Sequence, residues 1–365
     1  LPRVNRYEGL RLGIGAHTND KVSEFFSVGG YIAYGFKDRG LKYGSDLLLN
    51  LYKPSQVQLS FTQFEDLKEA GGVRFPFTQA GSLVGRGMLL HNFDKVTHYS
   101  STLSLRTLKY LDLKLSLQQE FKRNVSGYTF VSTQNDVTTE TGNFRFTEAV
   151  VSMRYAFREK VAEMLNQRIS LGTKYPVVML QYTQGLQGVL QGEFAYHKFD
   201  AQVVKSVTNR VLGTTTLQLQ GGLVLGEVPF TNLYNGQGNY SKRYKVYTGQ
   251  GFETMYINEF ISDRYASVHF KHDFGKLLLK TPHFDPTLSV VTNVGFGSLS
   301  NPEQHRNISF NTMEKGFYES GILINNLLKS QFSAIGVGAF YRYGPYAHPD
   351  FNKNLYFKLS TSIAF

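Results

Sequence analysis

The stretch Leu111-Asp-Leu-Lys-Leu-Ser-Leu-Gln118 sets four leucines at every second position, with polar residues between them. On a helix those leucines would spread round the cylinder. On a strand, successive side chains point to opposite faces, and the leucines form one apolar face. The stretch reads as a strand with one oily side. The same alternation runs outward from it in both directions. In Glu8–His17, Leu10, Leu12, Ile14 and Ala16 oppose Arg11, Gly13, Gly15 and His17. Phe26–Lys37 continues with Val28, Ile32, Tyr34 and Phe36 in phase. Lys42–Lys53 and Gln56–Phe64 follow, parted by the turn signal Pro54-Ser55. Toward the C-terminus, Val151, Met153, Tyr155 and Phe157 share one face, as do Leu217, Leu219, Leu223 and Leu225. Leu288, Val290, Val294 and Phe296 repeat the pattern, then Ile335, Val337, Ala339 and Tyr341. Arg168–Gln184 and Glu193–Val207 are strand-like but carry Pro or mixed phase.

Composition narrows the class. The chain has 365 residues, with 35 Gly, 23 Tyr, 29 Phe, no Trp and no Cys, and 41% of it is hydrophobic. Its mean hydropathy is -0.25. No run of about 18 apolar residues exists, which excludes a spanning helix. A transmembrane barrel needs no such run, because only alternate residues touch lipid. Aromatic and glycine richness fits interfacial girdles and bent strands, and equally a large soluble β protein. The absence of Cys excludes disulfides and thiolate metal sites. A formal net charge of +11, from 39 Lys and Arg against 28 Asp and Glu, favours phosphate-rich partners or simply a basic, solvated surface and lumen.

About 15 strand candidates are countable, most near the ~9–11 residues of a tilted spanning strand. Single-chain bacterial barrels have even strand numbers, so the expectation is 16 strands, with 14 as the alternative. The long connections are Phe75–Thr97, Asn124–Asn143, Tyr234–Gly251 and Asn301–Gly316; most others are short turns. Lys160–Gln167 alone reads as helical. A propeller would show a repeat of about 40–50 residues, and none is present. The fold class is all-β: a transmembrane antiparallel β-barrel of the bacterial outer membrane. Residues 1–365 are expected to form a single barrel domain. Leu1-Pro-Arg-Val-Asn is no signal peptide, so the expectation is a mature chain or the C-terminal part of a longer protein.

The last stretch, Leu355-Tyr-Phe-Lys-Leu-Ser-Thr-Ser-Ile-Ala-Phe365, carries Leu355, Phe357, Leu359, Ile363 and Phe365 on one parity. It looks like the closing strand of an outer-membrane barrel. It is expected to pair back to Glu8–His17, with Phe365 as the assembly signal read by the barrel-assembly machinery. More specific are Val228-Pro-Phe-Thr-Asn-Leu-Tyr, Gly238-Asn-Tyr, Phe252-Glu-Thr-Met and Glu259-Phe-Ile-Ser-Asp-Arg-Tyr265, followed by His269 and His272. With them go Glu319-Ser-Gly-Ile-Leu-Ile-Asn-Asn-Leu-Leu328 and Gly338-Ala-Phe-Tyr-Arg-Tyr-Gly-Pro-Tyr346. Near the start stand Asn5-Arg-Tyr-Glu-Gly-Leu-Arg-Leu-Gly and Gly29-Gly-Tyr-Ile-Ala-Tyr-Gly-Phe-Lys-Asp38. Together these resemble a Bacteroidota outer-membrane β-barrel family of unknown function, whose longer members carry an N-terminal carboxypeptidase-regulatory-like domain. A weaker resemblance is to the outer-membrane insertase superfamily. Its 16-stranded barrels insert or translocate other proteins and send an Arg-Gly loop into the lumen. Gly85-Arg86-Gly87 or Asp263-Arg264-Tyr265 would be the counterpart.

Three constellations stand out. Glu259, Asp263 and Arg264 at a strand start form a candidate lumenal charge cluster with Arg86, against a reading as ordinary rim charge satisfied by neighbours. Lys242, Arg243 and Lys245 in an expected outer loop are candidate anion contacts for lipopolysaccharide phosphate, against a mobile solvated loop. His269 and His272, three apart on a strand, face opposite ways and make a poor shared metal site. No Gly-x-Ser-x-Gly elbow singles out a nucleophile, so no enzyme, cofactor or metal is expected. The function expected is transport or translocation across the outer membrane, or membership of a larger outer-membrane complex. The alternative is a structural, plugged accessory barrel docking on an outer-membrane machine, and a hydrolase is the remaining reading. The partners expected are outer-membrane lipid, lipopolysaccharide and other complex subunits, not nucleic acid.

Overall fold

The computed structural model describes the chain except residues 1, 20, 53, 78–83, 135–136, 165–166, 277–285, 331–332 and 364–365. Sixteen strands form one sheet in which every strand pairs with its neighbours in sequence. They are β1 (Arg3–Asn5), β2 (Gly9–His17), β3 (Phe26–Gly35), β4 (Gly40–Tyr52), β5 (Val57–Glu69), β6 (Phe93–Thr107), β7 (Leu111–Asn124) and β8 (Asn143–Ala156). There follow β9 (Val177–Gly185), β10 (Tyr196–Asn209), β11 (Gly213–Leu225), β12 (Arg264–Lys276), β13 (Thr287–Ser298), β14 (Phe317–Lys329), β15 (Ser333–Tyr343) and β16 (Leu355–Ile363). All pairings along this order are antiparallel. The architecture is a 16-stranded antiparallel β-barrel of the transmembrane type.

The alternation in the sequence sorts the side chains in the reverse of the soluble order. Leu12, Ile14, Leu115, Leu117, Leu219, Val337, Phe357 and Leu359 are exposed on the outer wall. Arg11, Lys42, His98, Glu120, Glu148, Asp200, Glu319, Arg342 and Lys358 are buried on the inner one. Such a sheet is stable only where its outer face meets hydrocarbon and its inner face supplies partners for its own charges.

The connections differ at the two ends. At one end lie the turns 108–110 and 210–212 and the hairpin connection 157–176. At the other lie the long segments 70–92, 125–142, 226–263 and 299–316. The expected long loops thus emerge together, although Phe93–Thr97 belongs to β6 rather than to a loop.

Two expectations are corrected. Lys160–Met164 and Gln167–Gly172 form an antiparallel hairpin, not a helix. A single short helical run lacks the length to sustain itself in water, and continuing the β8 ladder direction satisfies its backbone instead. The second concerns closure. Among the described residues β16 forms no ladder with β2, whose free edge is taken by β1 at Gly9–Arg11. The outer edge of β16 receives a loop segment instead: Leu359 N donates to Lys245 O at 2.7 Å and Tyr247 N to Leu359 O at 2.8 Å. Phe365 lies outside the described residues.

The sorting of faces is testable by charge insertion. Leu115→Arg, on the outer wall, should cost about 2–4 kcal/mol in guanidinium unfolding from lipid vesicles. Ser116→Arg, one residue on and facing the lumen, should cost far less.

Candidate functional site

The segment 226–263 leaves β11 and returns to β12, yet it does not stay outside. It turns into the barrel and engages inward-facing side chains around the wall. Its two ends are tied together by Tyr234 and Ser262, each amide donating to the other's carbonyl at 3.0 Å. Gly222 on β11 admits the Tyr234 ring, since a Cβ there would lie 2.4 Å from its hydroxyl. Tyr234 Oη then donates to Asp200 Oδ1 at 2.9 Å. Next to it, the Asn232 amide donates to Glu148 Oε1 at 2.8 Å and to Tyr196 Oη at 2.7 Å. Lys122 and Lys198 donate to the Asn232 side-chain and main-chain oxygens at 2.5 and 3.0 Å.

Deeper in, Gly238–Tyr240 and Phe252–Tyr256 pair as a short parallel ribbon. Gly238 permits that approach: a Cβ would stand 2.2 Å from Tyr256 O. Two clasps hold the ribbon. In the first, Arg86, from a short helix at Val84–Leu89, donates to Gly238 O at 2.8 Å, to Asn239 Oδ1 and to the Glu69 carboxylate. In the second, Lys358 on β16 donates to Asn239 O at 2.9 Å and stands 3.2 Å from Glu253 Oε2, both side chains inaccessible to solvent. Glu319 on β14 accepts from Glu253 N, Thr254 N, Thr254 Oγ1 and Asn293 Nδ2 at 2.7–2.8 Å. Arg342 on β15 reaches Glu259 at 2.6 Å and lies over the Phe317 ring. Between the clasps, Lys245–Tyr247 runs along the edge of β16, and Tyr247 stacks on Phe340.

Above the threaded loop the mouth is capped. Strands Thr129–Gln134, Val137–Thr141 and His305–Arg306 form a small sheet. Beneath it Tyr128, Phe130, Phe144, Phe146, Tyr196 and Phe230 make the largest apolar cluster. Tyr128 Oη lies 2.7 Å from His305 Nδ1 and accepts from Phe230 N at 3.1 Å. Burial lowers His305 to about 4, with Asp263 opposing the shift.

The candidate charges separate. Arg86 is buried and donates to Gly238 O of the inward loop and to Glu69. Glu259 sits in a turn and belongs to Arg342. Asp263 and Arg264 instead tie the start of β12 to the next loop, through Ser300 N and Ser300 Oγ at 2.8 Å. The turn at Tyr256–Glu259 and the bridges at Phe260 and Ser262 break the strand alternation that would have put Glu259 and Asp263 on one face. Lys242, Arg243 and Lys245 lie on the inward segment beside β16 rather than on an outer loop, and they remain exposed. His269 faces inward to Asn293 and His272 bonds Thr215 across the opposite face. Among the described residues no group of three His, Asp or Glu is arranged to hold a metal. Lys358, Glu253, Glu319 and Arg342 were not singled out in the sequence. For Lys358, Glu319 and Arg342 the signal was charge on the non-leucine parity of otherwise apolar strands; Glu253, in the loop ribbon, had none.

Residues 2–310 match the family described as "Family of unknown function (DUF5686) C-terminal domain". No curated protein matches the chain. Among solved structures, the fold is similar to BamA from Haemophilus ducreyi lacking POTRA domains 1-3, with a TM-score of 0.61 at 10% identity, covering 99% of this chain and 69% of that one. It is also similar to CdiB from Escherichia coli, with a TM-score of 0.54 at 10% identity, covering 99% of this chain and 61% of that one. At such identity the likeness is one of fold.

Two outcomes follow from the clasp and the cap. Lys358→Met leaves the Glu253 carboxylate buried without its cation and should cost about 3–5 kcal/mol. It should also make residues 241–251 cleavable by protease in the folded barrel, and Glu253→Gln added to it should restore much of the protection. The cap should respond to acid. Its His305 is held neutral, so that stabilisation is full above the ordinary value of 6.5 and is lost as pH falls toward about 4. Hydrogen exchange at 128–141, corrected for its intrinsic pH dependence, should rise across that window and stay flat in His305→Phe.

Proposed function

Because the chain belongs to the DUF5686 C-terminal domain family, whose function is unknown, we propose its role from geometry: a gated outer-membrane barrel of the transport or translocation class, shut at rest by its own inward loop. The observation that carries this reading is the clasped segment 226–263. It touches inward residues from β5 round to β16, ion-paired to the wall through Lys358–Glu253 and Arg342–Glu259 and packed through Phe230, Tyr234, Ile261, Phe252, Met255 and Phe260. A barrel of this strand number encloses a lumen wide enough to conduct unless something fills it. A filling that is one contiguous segment anchored at buried ion pairs can move as a unit, whereas a lumen packed by the wall's own side chains cannot.

The bacterial outer membrane is the location that suits an apolar outer wall with a charged inner one. The fold likeness to BamA and CdiB supports the same placement. The cargo class suggested by those likenesses is polypeptide. The barrel performs no chemistry of its own in this reading, since the buried carboxylates of the site are engaged as anchors. Other outer-membrane subunits are its partners, with lipopolysaccharide and lipid around the wall.

The second reading, a permanently plugged accessory barrel, is favoured by the segment at the edge of β16. There the loop supplies part of the wall as well as the filling. Planar-bilayer conductance separates the two. The native protein should be silent, and Arg86→Ala combined with Lys358→Met should give discrete steps. The chain has no Cys, so Val246→Cys with Leu359→Cys can be oxidised to pin the loop to β16. Oxidation should silence the clasp variant and reduction should restore its steps. A clasp variant that stays silent while its loop becomes protease-sensitive would establish the accessory reading instead.

A further inference from the structure

We infer that the outer wall over β4–β8 carries a binding site for a phosphorylated glycolipid of the outer leaflet, an inference that rests on the outer-membrane placement above. Along this wall the outward residues form ranks across paired strands. One rank reads Ser45, Gln63, Tyr99, Gln119 and Thr147, each directly opposite the next. These positions face out because their chain neighbours Asp46, His98, Glu120 and Glu148 face in. Hydroxyls and amides in mid-strand are costly against hydrocarbon unless bonded. Two are bonded within the protein: Gln119 donates to Leu190 O, and Thr147 is 1% exposed beneath the loop 186–195. The Ser45 hydroxyl reaches Gln63 Oε1 only at 3.4 Å. The Gln63 amide nitrogen and the Ser101 hydroxyl have no partner among the described residues.

The wall is also concave there. Phe61, Gln63, Tyr99, Ser101, Gln119 and Leu190 line a groove of about 500 Å³, within the range of small-molecule sites. The small residues Ser45 and Ser101 make the hollow, and the overhanging Leu190 gives it a lip. Toward the short-turn end the groove runs into the apolar rank Leu49, Leu59, Leu103 and Leu115. Toward the long-loop end stand three outward cations. Lys95 and Arg123 are cross-strand partners, and Arg145 sits on the next strand. Their acidic neighbours are Glu65, 2.8 Å from Lys95, and Glu193, which accepts from Arg145 N at 3.0 Å. Arg123 is exposed and has no acidic partner among the described residues.

Three chemistries therefore stack along the wall: cations, the hydrogen-bonding rank with its groove, and the leucine rank. At about 3.3 Å per residue, Arg145 stands about 7 Å from the polar rank, and Lys95 and Arg123 about 13 Å. That interval accommodates a sugar headgroup with phosphate above and acyl linkages below. A glycerophospholipid offers only ester carbonyls at the level of the rank. An amide-linked, hydroxylated glycolipid offers both donors and acceptors to Gln63 and Ser101. The long-loop end places the site in the outer leaflet.

The test is retention of lipid by the full chain purified from membranes in mild detergent, read by native mass spectrometry, with lipopolysaccharide and phosphatidylglycerol as competing probes. The native protein should hold a phosphorylated glycolipid through detergent exchange. Ser101→Leu with Gln63→Leu, which closes the groove with apolar volume, should weaken retention about tenfold, as should Arg123→Glu with Arg145→Glu, one decade in dissociation constant. Heat-modifiable gel mobility reports that each variant is still a folded barrel. Equal retention by native and folded variants overturns the site. Equal competition by phosphatidylglycerol overturns the glycolipid assignment, and a polypeptide retained in place of lipid and lost with the same variants overturns lipid altogether. Absence of the protein from the outer-membrane fraction would count against the placement, a result read separately from binding.

Discussion

A buried charge must find a partner of opposite sign, or it destabilises whatever surrounds it. In this barrel that constraint falls on Lys358, which points inward from the last strand and is cut off from solvent. Its partners, Glu253 and the carbonyl of Asn239, both belong to the inward loop. The wall and its filling are therefore not independent. Without the loop, Lys358 would face an open lumen, and the Glu319 carboxylate would lose three of the donors that surround it. Without those wall residues, the ribbon at Gly238–Tyr240 and Phe252–Tyr256, whose own pairing is short, would keep only its apolar packing of Phe252 and Met255 with Met313 and Phe317.

The same dependence appears at the seam. A barrel avoids exposed sheet edges by closing on itself. Here the edge of β16 is satisfied in part by Lys245–Tyr247, a piece of the same loop. One segment fills the lumen, neutralises the inner wall and occupies a strand edge. Movement of that segment would change all three together, which is the physical basis for reading the barrel as gated. The cap is joined to the same loop by apolar packing: the cluster around Tyr128 includes Phe230, Tyr234 and Ile261, and Phe230 N donates to Tyr128 Oη.

Much of the wall was legible in the chain. Leu111–Gln118, Ile335–Tyr341 and Leu355–Leu359 show a period of two that survives unchanged in the structure, because the strand's alternation is local geometry. The strand total of 16 followed from counting and parity. The site was far less legible. Arg86 was singled out through its glycines; the structure adds its bonds to Gly238, Asn239 and Glu69. Glu259 and Asp263 were grouped by strand alternation, but Glu259 ends a turn and separate bridges at Phe260 and Ser262 follow it. Lys242, Arg243 and Lys245 were taken for an outer loop because their segment is long and polar. Polarity is what an outer loop and a loop threaded through a charged lumen have in common.

What the sequence determined by itself is the sorting of its residues: which face of each strand meets hydrocarbon, and hence that the chain is an antiparallel barrel. That follows because burial on a strand is decided two residues at a time. Only the tertiary structure decided where the long connection 226–263 goes, which strand Lys358 and Glu319 anchor, and what lies along the edge of β16. Those contacts join residues more than sixty positions apart, such as Glu253 with Glu319 and Arg86 with Asn239. No local pattern encodes such pairings; they arise when a rolled sheet brings its charges to a common interior and a long loop folds in to meet them.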